Sequence, residues 1–199
     1  MRVPTAWGIA GSPVRHSVTP MLFDIIGREL GMMQPSRLKI EVDSVDKLNE
    51  HLSSVEGDIW LSCTSPLKSS LFKLYGDQHD TSQSINQIVR REGKMTFGNT
   101  DGLGFLEACK SEGIIPRGKT MKMRGGGATA RSIAIEWVRM GGSIVPVRGR
   151  RQLPDGPWSG IKNQEIEADI ALDLDVTPGQ RGHTDLRTKK TLSISYGTD

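Results

Sequence analysis

Apolar and polar positions change period repeatedly along the chain, and the changes predict an alternation of strands and helices. Val3 to Ile9 is a short apolar-rich run that reads as a strand, ended by the Gly11-Ser12-Pro13 turn. Thr19 suits a helix N-cap and Pro20 a first helical residue. Met21, Leu22, Ile25, Ile26 and Leu30 then recur at helical spacing, predicting a core-facing stripe that stops at Gly31. Leu38 to Val42 alternates like a strand, Ser44 suits the cap of a helix to about Leu52, and Asp58 to Cys63 reads as a further strand. Pro66 to Tyr75 and Thr81 to Ile88 read as two short helices, and Val89 to Phe97 as a hairpin turning at Glu92-Gly93. Leu103 to Lys110 begins a connecting helix, and Ser111 to Lys119 reads as a linker.

The second half opens with a strand at Thr120 to Met123, a glycine run, a helix from Ala128 to Met140 and a strand at Ser143 to Val147. A strand, glycine turn, helix and strand in that order form the core of a dinucleotide site. Pro154, Gly156, Pro157 and Gly160 break the pattern beyond it. Two more strands are expected at Asp169 to Leu174 and Thr191 to Ser195. The predicted class is α/β. An N-terminal α/β domain over residues 1–101 is followed by a connecting helix and linker over 102–118, then a reduced Rossmann-like domain over 119–199.

Composition alters this picture in two places. The net charge is only +3 over 199 residues, yet from Arg117 to Arg151 nine Lys or Arg accompany a single acid, Glu136. Such a block suits an anionic ligand such as a phosphorylated cofactor better than nucleic acid. Cys63 and Cys109 have no CxxC spacing and the four histidines no metal-ligand spacing, so free thiols and no metal are expected. No apolar run approaches the ~20 residues that span a membrane. The broken N-terminus does not read as a signal peptide, and a cytoplasmic protein is expected.

Four local motifs carry candidate chemistry. The stretch Gly8 to Pro20 places Ser17 and Thr19 in a loop before a helix start, where hydroxyls and backbone N–H groups suit an anion. Ser62-Cys63-Thr64-Ser65-Pro66-Leu67-Lys68 follows a predicted strand, where open α/β sheets place ligands. Asp101 stands in Gly98-Asn99-Thr100-Asp101-Gly102-Leu103-Gly104-Phe105. A lysine beside a carboxylate makes a proton-transfer pair. The glycine run is Arg124-Gly125-Gly126-Gly127-Ala128, and about twenty residues on lie Arg148, Arg150 and Arg151 where an NAD enzyme places an acid. Arginines there suit a 2′-phosphate and favour NADP.

Together and in this order, these motifs resemble those of the shikimate dehydrogenases. The resemblance implies a substrate-binding domain followed by an NADP-binding domain, and reduction of 3-dehydroshikimate to shikimate with NADPH. It implies that Ser17 and Thr19 meet the shikimate carboxylate, that Thr64 and Asn86 bind substrate, and that Lys68 and Asp101 are catalytic. It assigns the cofactor to Gly125, Gly126, Gly127 and Ala128, with Arg148, Arg150 and Arg151 beside it. The sequence departs from the family's Asn-Val-Thr-x-Pro-x-Lys signature at Ser62 and Cys63, and from Gly-x-Gly-Gly-Ala at Arg124. Arg124 leaves three readings: Gly125 makes the turn one residue later, the arginine pairs with a phosphate, or it obstructs the site. Asp175 to Gly179 and Ile194-Ser195-Tyr196 resemble a later nicotinamide-side loop and strand. Family members continue past the position of Tyr196 with helices that return to the substrate domain, so the cofactor half reads as reduced. A homodimer is one way to bury its apolar face. Two other functions fit the same motifs: a paralogue binding shikimate-like ligands or a partner protein without turnover, and a quinate or shikimate dehydrogenase using NAD.

Overall fold

A computed structural model describes residues 3–33, 35–160, 166–176, 186, 188 and 190–193. The expected strand residues at 194–195, the 194–196 motif and the 177–179 part of the late loop lie outside the described residues. The chain divides into two compact units, Met1–Asn99 and Thr100–Asp199.

The first unit contains β1 (Ala6–Gly11), α1 (Thr19–Glu29), β2 (Ser36–Glu41), α2 (Val45–Ser53), β3 (Ile59–Cys63), α3 (Leu67–Tyr75), β4 (Gln87–Arg91) and β5 (Lys94–Gly98). Its five strands run in the order β2-β1-β3-β4-β5. The first three are parallel, and β4 and β5 add an antiparallel hairpin. Glu92 and Gly93 close that hairpin with φ of 50° and 76°. Positive φ at both central residues matches the right-handed twist of the strands. On one face of the sheet Leu48 and Leu52 of α2 and Leu67 and Leu71 of α3 pack against Ile40, Ile59 and Leu61.

Helix α1 covers the sheet in the opposite sense to the sequence expectation. Its buried residues are Pro20, Asp24 and Gly27, while the apolar stripe from Met21 to Leu30 faces solvent, with Ile26 at 53% exposure. The cause is Trp7, fully buried on β1. Its indole N–H donates to Asp24 Oδ1 at 3.0 Å, and Arg37 forms an ion pair with the same carboxylate. A Cβ at Gly27 would come within 2.1 Å of the indole ring, so only glycine fits beneath it. A buried donor demands its acceptor, and that requirement turns the small, polar face inward. Thr19 is the first helical residue rather than the cap, which is Val18.

One helix read from the sequence does not form. Thr81 to Gln83 instead makes turns, and Ser84 to Asn86 runs without regular structure into β4. Asp80 accepts from both the N–H and the hydroxyl of Ser82 at 2.8 Å, and Gln83 takes φ of 47°. That local side-chain bonding replaces a helical ladder. Asn86 N–H is then spent on Gly98 O at 3.0 Å.

The second unit contains α4 (Asp101–Ser111), β6 (Thr120–Arg124), α5 (Ala128–Arg139), β7 (Ser143–Val147), β8 (Ile170–Asp173) and β9 (Lys190–Ser193). Among the described residues its strands are parallel in the order β7-β6-β8-β9, the beginning of a doubly wound sheet. Helix α4, read from the sequence as a connector, packs on α5. Gly102 permits this, because a Cβ there would lie 2.3 Å from Ser132 O. Met121, Met123, Ile133, Trp137 and Leu172 form the centre of the core. Among the described residues between β7 and β8 no helix forms; Trp158 is buried there and donates to Pro154 O at 2.8 Å.

Candidate functional site

The loops carrying the first unit's candidate residues gather at one edge of its sheet. β1 and β3 are parallel and end there at Gly11 and Cys63, while antiparallel β4 starts there at Gln87. Ligands of open α/β sheets bind at this carboxyl edge. Ser12 N–H donates to Ser65 O and Thr64 N–H to Ala10 O, both at 2.9 Å, so the loops after β1 and β3 are tied together. Gly11 has φ of 145°, and a Cβ there would meet Thr64 Cγ2 at 2.5 Å. Cys63 N–H donates to Asn86 O at 2.7 Å, and Ile85 N–H to Lys68 O at 3.1 Å. The strand ends thus bring Thr64, Lys68 and Asn86 into one neighbourhood from distant parts of the sequence.

Ser17 and Thr19 are coupled directly. Ser17 Oγ donates to Thr19 Oγ1 at 3.1 Å and accepts from Thr19 N–H at 3.2 Å. The two hydroxyls stand at the start of α1, whose first N–H groups carry the positive end of the helix dipole. Cys63, facing the core behind Lys68, has its thiol pushed up to about 12 by burial, against a weaker opposing pull from the Lys68 ammonium. It is an inert thiol rather than a nucleophile.

A residue that sequence reasoning passed over is Gln87. It lies opposite Ser62 in the ladder, and its Nε2 donates to Ser62 Oγ at 3.0 Å. The signal was available only once β3 and β4 were paired.

In the second unit Asp101 occupies the first position of α4, with Thr100 as the cap residue and no side-chain cap bond. Its carboxylate accepts from Thr129 Oγ1 of α5 at 2.9 Å. Gly102 N–H donates to Ser132 Oγ at 3.1 Å, so two hydroxyls of α5 fix the start of α4. Asp101 is therefore held next to the first turn of α5 and its glycines.

The glycine turn bears on the three readings of Arg124. Strand β6 runs through Arg124, in register with Val147 and Asp173, and Gly125 makes the turn at φ of 110°. The Arg124 side chain lies inside, where NH1 donates to Asp173 Oδ2 at 3.2 Å. Asp173 Oδ1 accepts from Asp175 N–H at 3.0 Å, and Asp175 accepts from Arg150 N–H at 2.6 Å. Gly126 lies against the loop after β7, where a Cβ would meet Gln152 O at 1.9 Å. That glycine serves a close approach of the chain to itself.

Positive charge gathers around the start of α5. Arg131 NH1 reaches Gly126 O at 3.5 Å, and its guanidinium is shifted down by burial and by Arg151. An Arg151 nitrogen stands 3.6 Å from where a Gly127 Cβ would be. Gly127 is the cap residue and supplies no side-chain cap bond. Two guanidiniums beside the opening N–H groups of a helix suit a phosphate. Arg148 and Arg150 are exposed on the same loop, and Arg150 is drawn towards Asp175 at 3.9 Å. Arg131 went unnamed in the sequence reading, where it was only part of a basic count. Among the described residues no group of three or more His, Cys, Asp or Glu could hold a metal ion, and no helix is long and apolar enough to cross a membrane.

No family model matches the chain. It is 29% identical over 154 residues to the NADP(+) shikimate dehydrogenase of Alkaliphilus metalliredigens, covering 72% of this chain and 51% of that one. It is 27% identical over 209 residues to the enzyme of the same name from Methanothermobacter thermautotrophicus, covering 90% and 70%. The solved shikimate 5-dehydrogenase of Thermus thermophilus, in complex with NADP(H) and shikimate, superposes with a TM-score of 0.69 at 20% identity, over 94% of this chain and 77% of that one. The chain is similar in sequence and fold to the shikimate dehydrogenases. It spans about half the length of several of the relatives it matches. The shikimate dehydrogenase likeness extends across both units, and its fold carries the Rossmann-like sheet of the second.

Proposed function

We propose that the chain carries the reversible NADP-dependent reduction of 3-dehydroshikimate to shikimate. One observation supports this reading above the others: the topology of the first sheet collects Thr64, Lys68 and Asn86 at a single carboxyl edge. Ser17 and Thr19, coupled at the start of α1, receive the substrate carboxylate. Gln87 restores, through its amide, the paired donor and acceptor that Ser62 lacks. Lys68 donates a proton to the oxygen of the ketone as it is reduced, and takes one from the hydroxyl in reverse. Asp101, fixed by Thr129, is the carboxylate assigned to a substrate hydroxyl.

The turn at Gly125 to Gly127 fits the pyrophosphate of a dinucleotide, with Arg131 and Arg151 against its charge and Arg148 towards a 2′-phosphate. NADPH supplies the hydride when bound. The assay is NADPH oxidation with 3-dehydroshikimate, and its failure alongside intact shikimate binding would select a second reading. That second reading is ligand binding without turnover, and it rests on Gly126, whose open side faces the Gln152 carbonyl rather than empty space.

A further inference from the structure

In the second unit one carboxylate meets the loops that follow β6, β7 and β8. Asp175 lies just beyond β8, and its side chain is only 11% exposed. Its Oδ2 accepts the Arg150 N–H of the loop after β7 at 2.6 Å, a short bond of the charge-assisted kind. Its Oδ1 lies 3.5 Å from the position of a Gly125 Cβ, at the turn after β6. The loop after β7 passes so close that a Cβ at Gly149 would collide with Asp175 Oδ2 and stand 2.9 Å from Arg124 Cγ. Glycine at 149 lets the chain between Arg148 and Arg150 settle on the carboxylate.

Asp175 is itself held from beneath. Its N–H donates to Asp173 Oδ1 at 3.0 Å, and Asp173 Oδ2 receives the buried Arg124 at 3.2 Å. The Arg150 guanidinium adds little to this hold, because it is 76% exposed and stands 3.9 Å from Oδ1. An ion pair so open to water is weak. The backbone N–H carries the hold instead, so the course of the loop depends on residue 175 and not on the side chain at 150. Arg148, the residue assigned above to a 2′-phosphate, lies between the end of β7 and that anchor. A side chain that must meet a ligand at fixed geometry needs its backbone held by such supporting bonds.

We propose, resting on the NADP reading above, that Asp175 is a positioning residue for cofactor selectivity: it fixes the backbone of Gly149 and Arg150 so that Arg148 meets a 2′-phosphate. The test is calorimetry on the whole chain with adenosine 2′,5′-bisphosphate and with 5′-AMP, which differ only in that phosphate. The parent is expected to prefer the bisphosphate. Asp175→Ala should cut that preference by about tenfold or more while leaving 5′-AMP affinity as it was. Asp175→Asn keeps an acceptor for the Arg150 N–H and should keep most of the preference. Arg150→Ala should do the same, because the backbone bond survives it. Hydrogen exchange gives a readout without ligand: the Arg150 N–H of the parent should be protected, and in Asp175→Ala it should exchange like an open loop amide. Undiminished preference in a folded Asp175→Ala, or an unprotected Arg150 N–H in the parent, would overturn the proposal. So would loss of the preference in Arg150→Ala, which would make that guanidinium the phosphate ligand. A parent with equal affinity for both probes overturns the NADP reading, and the selectivity with it, even where the Arg150 N–H is protected.

Discussion

Arg124 donates to the carboxylate of Asp173 across 3.2 Å, and both side chains are buried where β6 and β8 end beneath the glycine turn. A charge taken out of water requires its partner, and breaking a buried pair costs about 3–5 kcal/mol because the survivor is stranded. Arg124→Gly, which restores the family's residue, should therefore lower stability by that amount in a urea melt. Arg124→Gly combined with Asp173→Asn should recover part of the loss. If Arg124 instead serves a bound phosphate, Arg124→Gly will leave the melt unchanged and weaken NADP binding.

The Cys63 thiol gives a prediction in pH. Burial raises it from 9.0 to about 12, so the folded state disfavours the thiolate that the unfolded chain forms readily. This contribution to stability is intact below about 9 and is lost progressively as pH rises from there towards about 12. Native protein at pH 8 should leave Cys63 unmodified by a thiol-specific reagent, with modification following global unfolding. Fast labelling of the native chain at that residue would contradict its burial.

How much of this was legible in the sequence depended on whether local pattern or tertiary demand ruled. The hairpin at Glu92-Gly93 and strand β7 were readable because turn chemistry and alternation act locally. The direction of α1 was not, because it follows from Trp7, a residue on another element that takes the space over Gly27 and claims Asp24. The missing helix at 81–88 fell to side-chain bonding between Asp80 and Ser82, which helical periodicity does not register. The motif lysine and aspartate were candidates from their local signatures alone. Gln87 and Thr129 could not, since each acts through a partner that only strand pairing or helix packing supplies.

Lys68→Ala should reduce turnover by roughly 10²–10⁴-fold, the scale of one general acid–base group, while shikimate binding is largely kept. The check is kcat by NADPH oxidation alongside a shikimate titration. Near-parent kcat would remove Lys68 from the proton transfer.

Asp101→Asn should lower kcat and weaken substrate binding together, because the carboxylate is assigned to a hydroxyl of the bound substrate. Thr129→Val should shift both constants in the same direction by a smaller factor, through loss of the 2.9 Å bond that orients the carboxylate. A hydrogen bond to a charged group contributes about 1.5–3 kcal/mol, so a drop in stability of up to that size is also expected. A stability loss with unchanged kinetic constants in both variants would make Asp101 purely a helix-fixing residue.

The cofactor half offers the sharpest division between the two functional readings. Arg131 and Arg151 converge on the start of α5, and Arg148 extends from the next strand where an acid would select NAD. NADP should therefore bind more tightly than NAD by calorimetry. Arg148→Ala should shrink that preference by roughly ten- to a hundredfold, the value of one charge-assisted hydrogen bond to phosphate. Arg131→Ala should weaken both cofactors alike, because it stands at the pyrophosphate turn and not at the 2′-position. Equal affinity of the parent for both cofactors would remove the arginine argument. Shikimate binding with no measurable NADP binding would mean that the Gln152 backbone across Gly126 fills the cofactor's place, and the chain would then be a binder and not an enzyme.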